Sequence, residues 1–352
     1  MKKLSSFLWP SIRLLIIPYL IFIFLMVYRI DYEIQAPGGI SEVDQLIQVD
    51  YPVDEIKGSL SSTYIVSFTR PSIFQFIISD FSKYNQVNII PESYRHYTDS
   101  ELRDISYMQK VTSVDAAVIV AYIKASQVNE DIIFTENSYR LVTLIRGKEA
   151  SLSNYNDIGL GHEFISMIGD EDIIIEDYTK LRNAMSDDQW YTFNFKGEEV
   201  YQVQLRKVDI EENYLLFSNY YLVDQADIYP KYIEKDSNIG GPSGGLLQTL
   251  SIYNMLVKED ITKGYKIAGT GTIRYDGTVG YVGGIKQKIA TAYVNKVDMF
   301  FIPAIDERYS SHNYLEALAA CEEYGIDPEG WLIPVASIDE AIVYLEGLDN
   351  HE

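Results

Sequence analysis

Apolar positions fall into three regimes along the chain. In the first, Phe7 to Tyr28 form one apolar stretch of 22 residues broken only by Arg13; its uncharged part, Leu14 to Tyr28, has 15. At ~1.5 Å per residue the longer stretch reaches about 33 Å as a helix, enough to span a bilayer's hydrocarbon core. Arg13 lies near the N-terminal end, within snorkelling reach of the headgroups, and Trp9 and Tyr28 fall near the two interfaces. Lys2 and Lys3 precede the stretch and Asp31 and Glu33 follow it. The positive-inside bias then puts the N-terminus in the cytoplasm and the rest outside. A cleaved leader is the competing reading. Its nearest cleavage site, Gln35-Ala36-Pro37, would put a proline directly after the cut, so an uncleaved anchor is preferred.

The second regime, residues 32–208, is mostly short alternating runs. Pro37-Gly38-Gly39 reads as a turn and Thr63 to Thr69 as a strand, by its β-branched and aromatic content. Gln75 to Val87 is mixed and helix-like. No chemistry is assigned to residues 32–105. Val114, Ala117, Val118, Ala121 and Tyr122 recur at the spacing of one helix face, predicting a core-facing helix over 113–125. Over 130–208 the pattern is that of a small β-rich unit. Leu141 to Ile145 reads as a strand, Gly169 to Ile173 as a turn into another, Tyr178 to Met185 as a short helix and Val200 to Leu205 as an alternating strand.

From about residue 209 the pattern becomes α/β. Lys266 to Ile273 reads as a strand, Asp276-Gly277 as a hairpin turn before Val279 to Val282, and Val297 to Ile302 as a buried strand ending at Pro303. Tyr314 to Cys321 reads as helix and Trp331 to Val335 as a second buried strand. Ser337-Ile338-Asp339-Glu340 is a capping box that opens a last helix.

Composition narrows the function classes. Apolar residues make up 47% of 352, so the chain can bury a sizeable core. The net charge is −22; the first 31 residues carry four basic side chains against one acidic, leaving −25 on residues 32–352. A body that acidic repels phosphate backbones, and no nucleic-acid partner is expected. The single cysteine, Cys321, excludes an intrachain disulfide and a cysteine metal cluster. None of the four histidines stands in an H-E-x-x-H pattern, and neither a metal nor a cofactor is expected.

The candidate chemistry lies in two glycine-rich turns. Ile239-Gly240-Gly241-Pro242-Ser243-Gly244-Gly245 precedes a helical face of Leu246, Leu250, Tyr253 and Val257. Ser243 therefore stands at a helix N-terminus, where unpaired N–H groups and the helix dipole favour negative charge. It is read either as a nucleophile or as a plain N-cap. Gly283-Gly284-Ile285-Lys286-Gln287-Lys288 leads into a second helical face of Ile289, Ala292 and Tyr293. A buried lysine loses its proton more readily and can serve as a base, completing a serine–lysine hydrolytic pair. Lys286 is read either as such a base or as an ordinary surface lysine, with Lys288, two residues on, facing away from it.

Gly-Pro-Ser-Gly-Gly, Ile267-Ala268-Gly269-Thr270-Gly271, Asp276-Gly277-Thr278-Val279 and Gly283 to Lys288, in that order and at those separations, resemble the proteolytic domain of Lon-type serine proteases over about residues 235–345. The resemblance implies that Ser243 is the nucleophile and Lys286, the first lysine of the run, the base. Thr270 is expected to help orient the amine. Two departures matter. Lon usually has an aspartate where Gly240 stands. Lon also carries an ATPase module, whereas the nearest Walker-like run here, Gly280 to Lys286, has Ile285 in place of the second glycine. The whole layout, including Tyr107-Met108 and Asn238 to Ser243, resembles the membrane-anchored, PDZ-containing Lon-like proteases of Gram-positive bacteria. The 130–208 unit resembles a PDZ domain, although Glu136 to Tyr139, aligned with the carboxylate loop, lacks glycine.

These readings divide the chain into a cytoplasmic tip and anchor (1–31), an extracytoplasmic β-rich region with a linking helix (32–127), a PDZ-like domain (128–208) and an α/β (α+β) Lon-type proteolytic domain (209–352). The expected function is ATP-independent serine endopeptidase activity on exported peptides or unstructured proteins at the outer face of the cell membrane. The rival is a PDZ-type peptide-binding scaffold whose protease fold is non-catalytic. A histidine-based hydrolase using His162 or His312 is a further alternative. The sequence leaves self-association into a homo-oligomer open.

Overall fold

The computed structural model describes residues 2–53, 55–148, 158–211, 215–235, 239–305 and 312–351, with the side chains of residues 1–13, 93, 171 and 211 excepted. Asn238 of the expected motif and the side chains of Trp9 and Arg13 lie outside the described residues.

The chain opens with helix α1 (Lys2–Val27), followed by strands β1 (Tyr32–Glu42), β2 (Ile47–Val49) and β3 (Ser59–Thr69). Helix α2 (Ile73–Ser79), strand β4 (Gln86–Ile89), helix α3 (Glu92–Arg95) and the long helix α4 (Asp99–Ser126) come next. The middle of the chain contributes β5 (Tyr139–Lys148), β6 (Glu163–Ile168), β7 (Ile174–Ile175), β8 (Trp190–Lys196), β9 (Val200–Arg206), α5 (Lys207–Glu211), β10 (Leu215–Val223) and β11 (Tyr232–Glu234). The C-terminal part is α6 (Gly245–Asn254), β12 (Lys266–Gly269), β13 (Thr272–Ile273), β14 (Val279–Gly280), α7 (Ile285–Val294), β15 (Met299–Pro303), α8 (Asn313–Tyr324), β16 (Leu332–Val335) and α9 (Ile338–Glu346).

Two six-stranded sheets organise these elements. The first has the order β16-β15-β12-β3-β1-β4. Its C-terminal strands run parallel, and β12 pairs in parallel with β3, Lys266 opposite Ser59 and Gly269 opposite Ser62. β1 and β4 complete it in antiparallel sense. The segment 32–89, to which no chemistry was assigned, thus supplies three of the six strands of the sheet that carries the C-terminal helices. The expected region 32–127 therefore shares this sheet with the expected proteolytic domain 209–352. The second sheet, β10-β5-β6-β8-β9 with β7 on β6, spans residues 139–223. The division expected at 208/209 falls inside α5, and β10 lies beyond it.

Apolar side chains explain the layering. Ile267, Phe301 and Ile333 pack on one face of the first sheet with α4, α6 and α9, while Ala268, Phe300 and Ile302 pack on the other with α7 and α8. Helix α4 begins at a capping box between Thr98 and Glu101 and is buried almost continuously from Thr112 to Tyr122. It is apolar all round there because it is clamped between α6 and β10. The predicted helix over 113–125 is the second half of this element. The mixed segment Gln75 to Val87 divides into the end of α2 and the start of β4.

Two observations bear on the expected anchor and on the PDZ-like unit. The apolar stretch is helical in α1, but among the described residues no helix is long and apolar enough to cross a membrane. In the second sheet, the glycine-containing turn ahead of a strand is Gly159-Leu160-Gly161, which enters β6, rather than Glu136 to Tyr139, which is a 3-10 turn entering β5.

Candidate active site

Ser243 sits on the turn that enters α6, and three close approaches hold that turn. The Gly241 N–H donates to the Ser106 carbonyl at 3.0 Å, the Ser113 hydroxyl donates to the Pro242 carbonyl at 3.1 Å, and the Gly271 N–H donates to the Ser243 carbonyl at 2.9 Å. Glycines permit this packing. Gly241 has φ +85°, and a Cβ at Gly240 would stand 2.2 Å from Ser106 Oγ. At the start of α6, the Gly245 and Leu246 N–H groups are engaged by the Pro242 and Gly271 carbonyls. Those of Ser243 and Gly244 have no acceptor among the described residues, so two donors remain beside the hydroxyl for a developing oxyanion.

The second turn is fixed from the side. Asn313 accepts from the Val282 N–H at 2.9 Å and donates to its carbonyl at 2.8 Å, ahead of Gly284, which has φ +71° at the start of α7. Lys286 and Lys288 follow on opposite faces, as expected from their two-residue offset. The face that turns inward is the one opposite to the expectation. Lys286 Nζ lies in solvent and pairs with Glu323 on α8 at 2.7 Å. Lys288 is 2% exposed, and its amine donates to the Thr270 hydroxyl at 2.8 Å. The Thr270 hydroxyl in turn donates to the Ser243 carbonyl at 3.0 Å. Thr270 thereby ties the buried amine of Lys288 to the backbone of the serine turn, whereas the amine it was expected to orient, that of Lys286, pairs with Glu323 instead.

Burial pushes the Lys288 amine down from 10.5 to about 7, since among the described residues no carboxylate forms an ion pair with it to offset the loss of hydration. An amine so placed has a substantial neutral fraction near neutrality and can take up a proton. Lys286, paired in solvent, has no such environment. The signal was present in the sequence: Ile285, Ile289 and Ala292 are the buried stripe of α7, and Lys288, not Lys286, falls on it.

Ser243 and Lys288 line one cavity of about 760 Å³, together with Glu33, Gln35, Tyr64, Ile65, Gln109 and Gly240. The Ser243 hydroxyl makes no hydrogen bond among the described residues. A second cavity of about 850 Å³ shares Glu33, Ile65, Ser67 and Gly240 with the first, and continues to Ile90, Tyr94 and Leu102. Together they offer room for several residues of an extended chain. The walls from β1 and β3 were invisible to sequence reasoning. Neither His162, which meets the Tyr201 hydroxyl at 2.8 Å in the second sheet, nor His312 lines the serine cavity.

A serine turn and a buried lysine thus line one cleft within a mixed α/β fold. Residues 222–312 match the Lon protease (S16) C-terminal proteolytic domain. A Lon protease of Ureaplasma parvum serovar 3 is 36% identical over 69 residues, which make up 20% of this chain and 8% of that protein's length. The chain thus spans under a tenth of that relative. It carries a Lon-type proteolytic domain, and the match supports a serine-type peptidase.

Proposed function

We propose that the protein is a membrane-anchored, ATP-independent serine endopeptidase in which Ser243 is the nucleophile and Lys288, not Lys286, is the base. The observation that carries this reading is the burial of the Lys288 amine on Thr270 in the cavity that Ser243 also lines. In the proposed cycle the Ser243 hydroxyl attacks the scissile carbonyl carbon while neutral Lys288 takes its proton. The oxygen of the tetrahedral intermediate is held by the Ser243 and Gly244 N–H groups, a contribution of about 3–4 kcal/mol per donor in comparable sites. The C–N bond breaks and the amine leaves with the proton from Lys288, giving an acyl-enzyme. Water then loses a proton to Lys288 and attacks the ester; the acid departs, and the Ser243 oxygen recovers the proton.

Exported peptides or unstructured segments are the proposed substrates, since the Walker-like run lacks its second glycine and the cleft suits an extended chain. The anchored, outward-facing topology rests on α1, whose side chains from Leu14 onward are exposed on nearly every side, and on Lys2 and Lys3 at its start. A PDZ-like recruiting role for the second sheet is favoured by the cavity lined by Tyr107, Met108, Leu160 and Gly161, where the glycine turn of β6 meets α4.

The test is cleavage of casein and of unstructured peptides by the purified full chain. Loss in Ser243→Ala and Lys288→Ala with survival in Lys286→Ala and in every His→Ala variant supports the reading. Undiminished cleavage by Ser243→Ala would end it, and absence of cleavage by the parent chain with peptide binding retained would favour the scaffold alternative.

A further inference from the structure

Helix α2 does not lie beyond the end of α1 but beside it. The Ile73 N–H donates to the Tyr28 carbonyl at 3.2 Å, and Arg29 donates to the Gln75 side chain at 3.0 Å. The rings of Phe22 and Phe74 meet edge to face, 5.6 Å between centroids. Phe22 precedes Tyr28 by six residues, about 9 Å along a helix at ~1.5 Å per residue. A bilayer that takes up α1 as far as Phe22 has no room to exclude Phe74.

The surface continues from there. Ile77, Ile78, Phe81 and Ile89 are exposed, Phe81 by 86%. A group of large apolar side chains left in water on one short stretch marks a surface with a partner. Its contact with the apolar helix α1 says what that partner is. The backbone of α2 is prepared for a poorly hydrated setting by a complete capping box between Ser72 and Gln75. Exposed Asp80 and Lys83 flank Phe81 and limit how far it can sink.

We infer that the segment from Phe74 to Ile89 is a lipid-facing apron, inserted into the headgroup–acyl boundary of the bilayer that α1 spans. The inference rests on the anchor reading of α1. Burial of such a segment by about 5–10 Å fixes the orientation of the sheet behind it. β4 belongs to this apron and runs directly into Ile90 and Pro91, which line the cavity joined to the serine site.

Nitroxide labels on the full chain test it. Cys321 is buried, so in a Cys321→Ala background labels are placed by Ile21→Cys, Ile78→Cys, Phe81→Cys and, as a distant control, Val343→Cys, which is 68% exposed on α9. The chain is reconstituted in phosphatidylcholine–phosphatidylglycerol vesicles, and oxygen and nickel-chelate accessibilities are compared. Retained peptide cleavage certifies each variant as folded. The expected result is an oxygen-to-nickel ratio at 21, 78 and 81 at least about threefold that at 343. Lipid exposure at 21 with water exposure at 78 and 81 overturns the apron and leaves the anchor standing. Shielding of 81 from both reagents overturns it in favour of a protein partner. Water exposure at 21 removes the anchor and the apron with it.

Discussion

The Lys288 amine and the Thr270 hydroxyl stand 2.8 Å apart, and that hydroxyl spends its own proton on the Ser243 carbonyl. The lysine therefore offers its hydrogen to an oxygen whose donor capacity is already used, and its own position is set by the serine turn. The two glycine turns are tied by this link, although 18 residues separate Thr270 from Lys288 and 27 separate it from Ser243.

The two lysines of α7 are expected to differ sharply on truncation. Lys288→Ala lowers kcat by about 10³-fold or more, as loss of a proton acceptor does in serine hydrolases. Lys286→Ala, which removes only a half-exposed ion pair with Glu323, changes kcat/KM by no more than about threefold. Steady-state cleavage of one fluorogenic peptide by both variants decides this: a large loss in Lys286→Ala with little change in Lys288→Ala would return the base to Lys286, and equal losses would end the assignment to Lys288 alone.

Activity is expected to follow one ionisation near neutrality. The base must be unprotonated, and burial places the Lys288 amine at about 7. Acylation therefore falls about tenfold per unit below that pH and levels off above it. Pre-steady-state acylation measured across the range checks this; a rate already at its plateau in mild acid would exclude a lysine base.

The same amine carries a stability signature. Its folded value, about 7, lies below the unfolded 10.5. Between these values the unfolded chain holds a proton that the folded chain does not, so stability rises with pH through that window, and the cost of burial is fully present below it. Lys288→Met removes the cost. Its Tm should exceed the parent's at neutral pH, and the difference should shrink as the pH approaches 10.5. A Tm below the parent's throughout would show that the amine stabilises the fold.

Thr270→Val keeps shape but removes the hydroxyl, leaving the amine without its hydrogen-bond partner. The expected loss in kcat is roughly tenfold or more with KM little changed, and Thr270→Ser should restore most of it. A parallel rise in KM would point to a disturbed cleft instead.

Gly240 packs closely on α4. A Cβ there meets Ser106 Oγ at 2.2 Å, so in Gly240→Ala either the Ser106 hydroxyl turns aside or the serine turn shifts. The expected loss in rate is therefore up to about 10²-fold, the figure for a displaced turn. Ser106→Gly in the same chain makes room and should recover much of the activity, less the roughly 1 kcal/mol that a glycine costs within a helix. A cycle of both single variants and the double variant measures the coupling; additive losses would disprove the contact.

The sequence by itself determined the local events: the Gly-Pro-Ser turn into α6, the Gly-Gly turn into α7, the Asp276-Gly277 hairpin and the buried strands β15 and β16. Each depends on residues within one or two turns of one another, where propensity, capping and periodicity act directly. Even the inward face of α7 was written in Ile285, Ile289 and Ala292, although proximity to the glycines pointed to Lys286. Tertiary structure alone decided that β3 pairs with β12 some 200 residues later, that α4 braces the serine turn through Ser106 and Ser113, and that Thr270 meets the buried amine. Pairings of that span are selected by the combined burial of several faces, a quantity no single segment encodes.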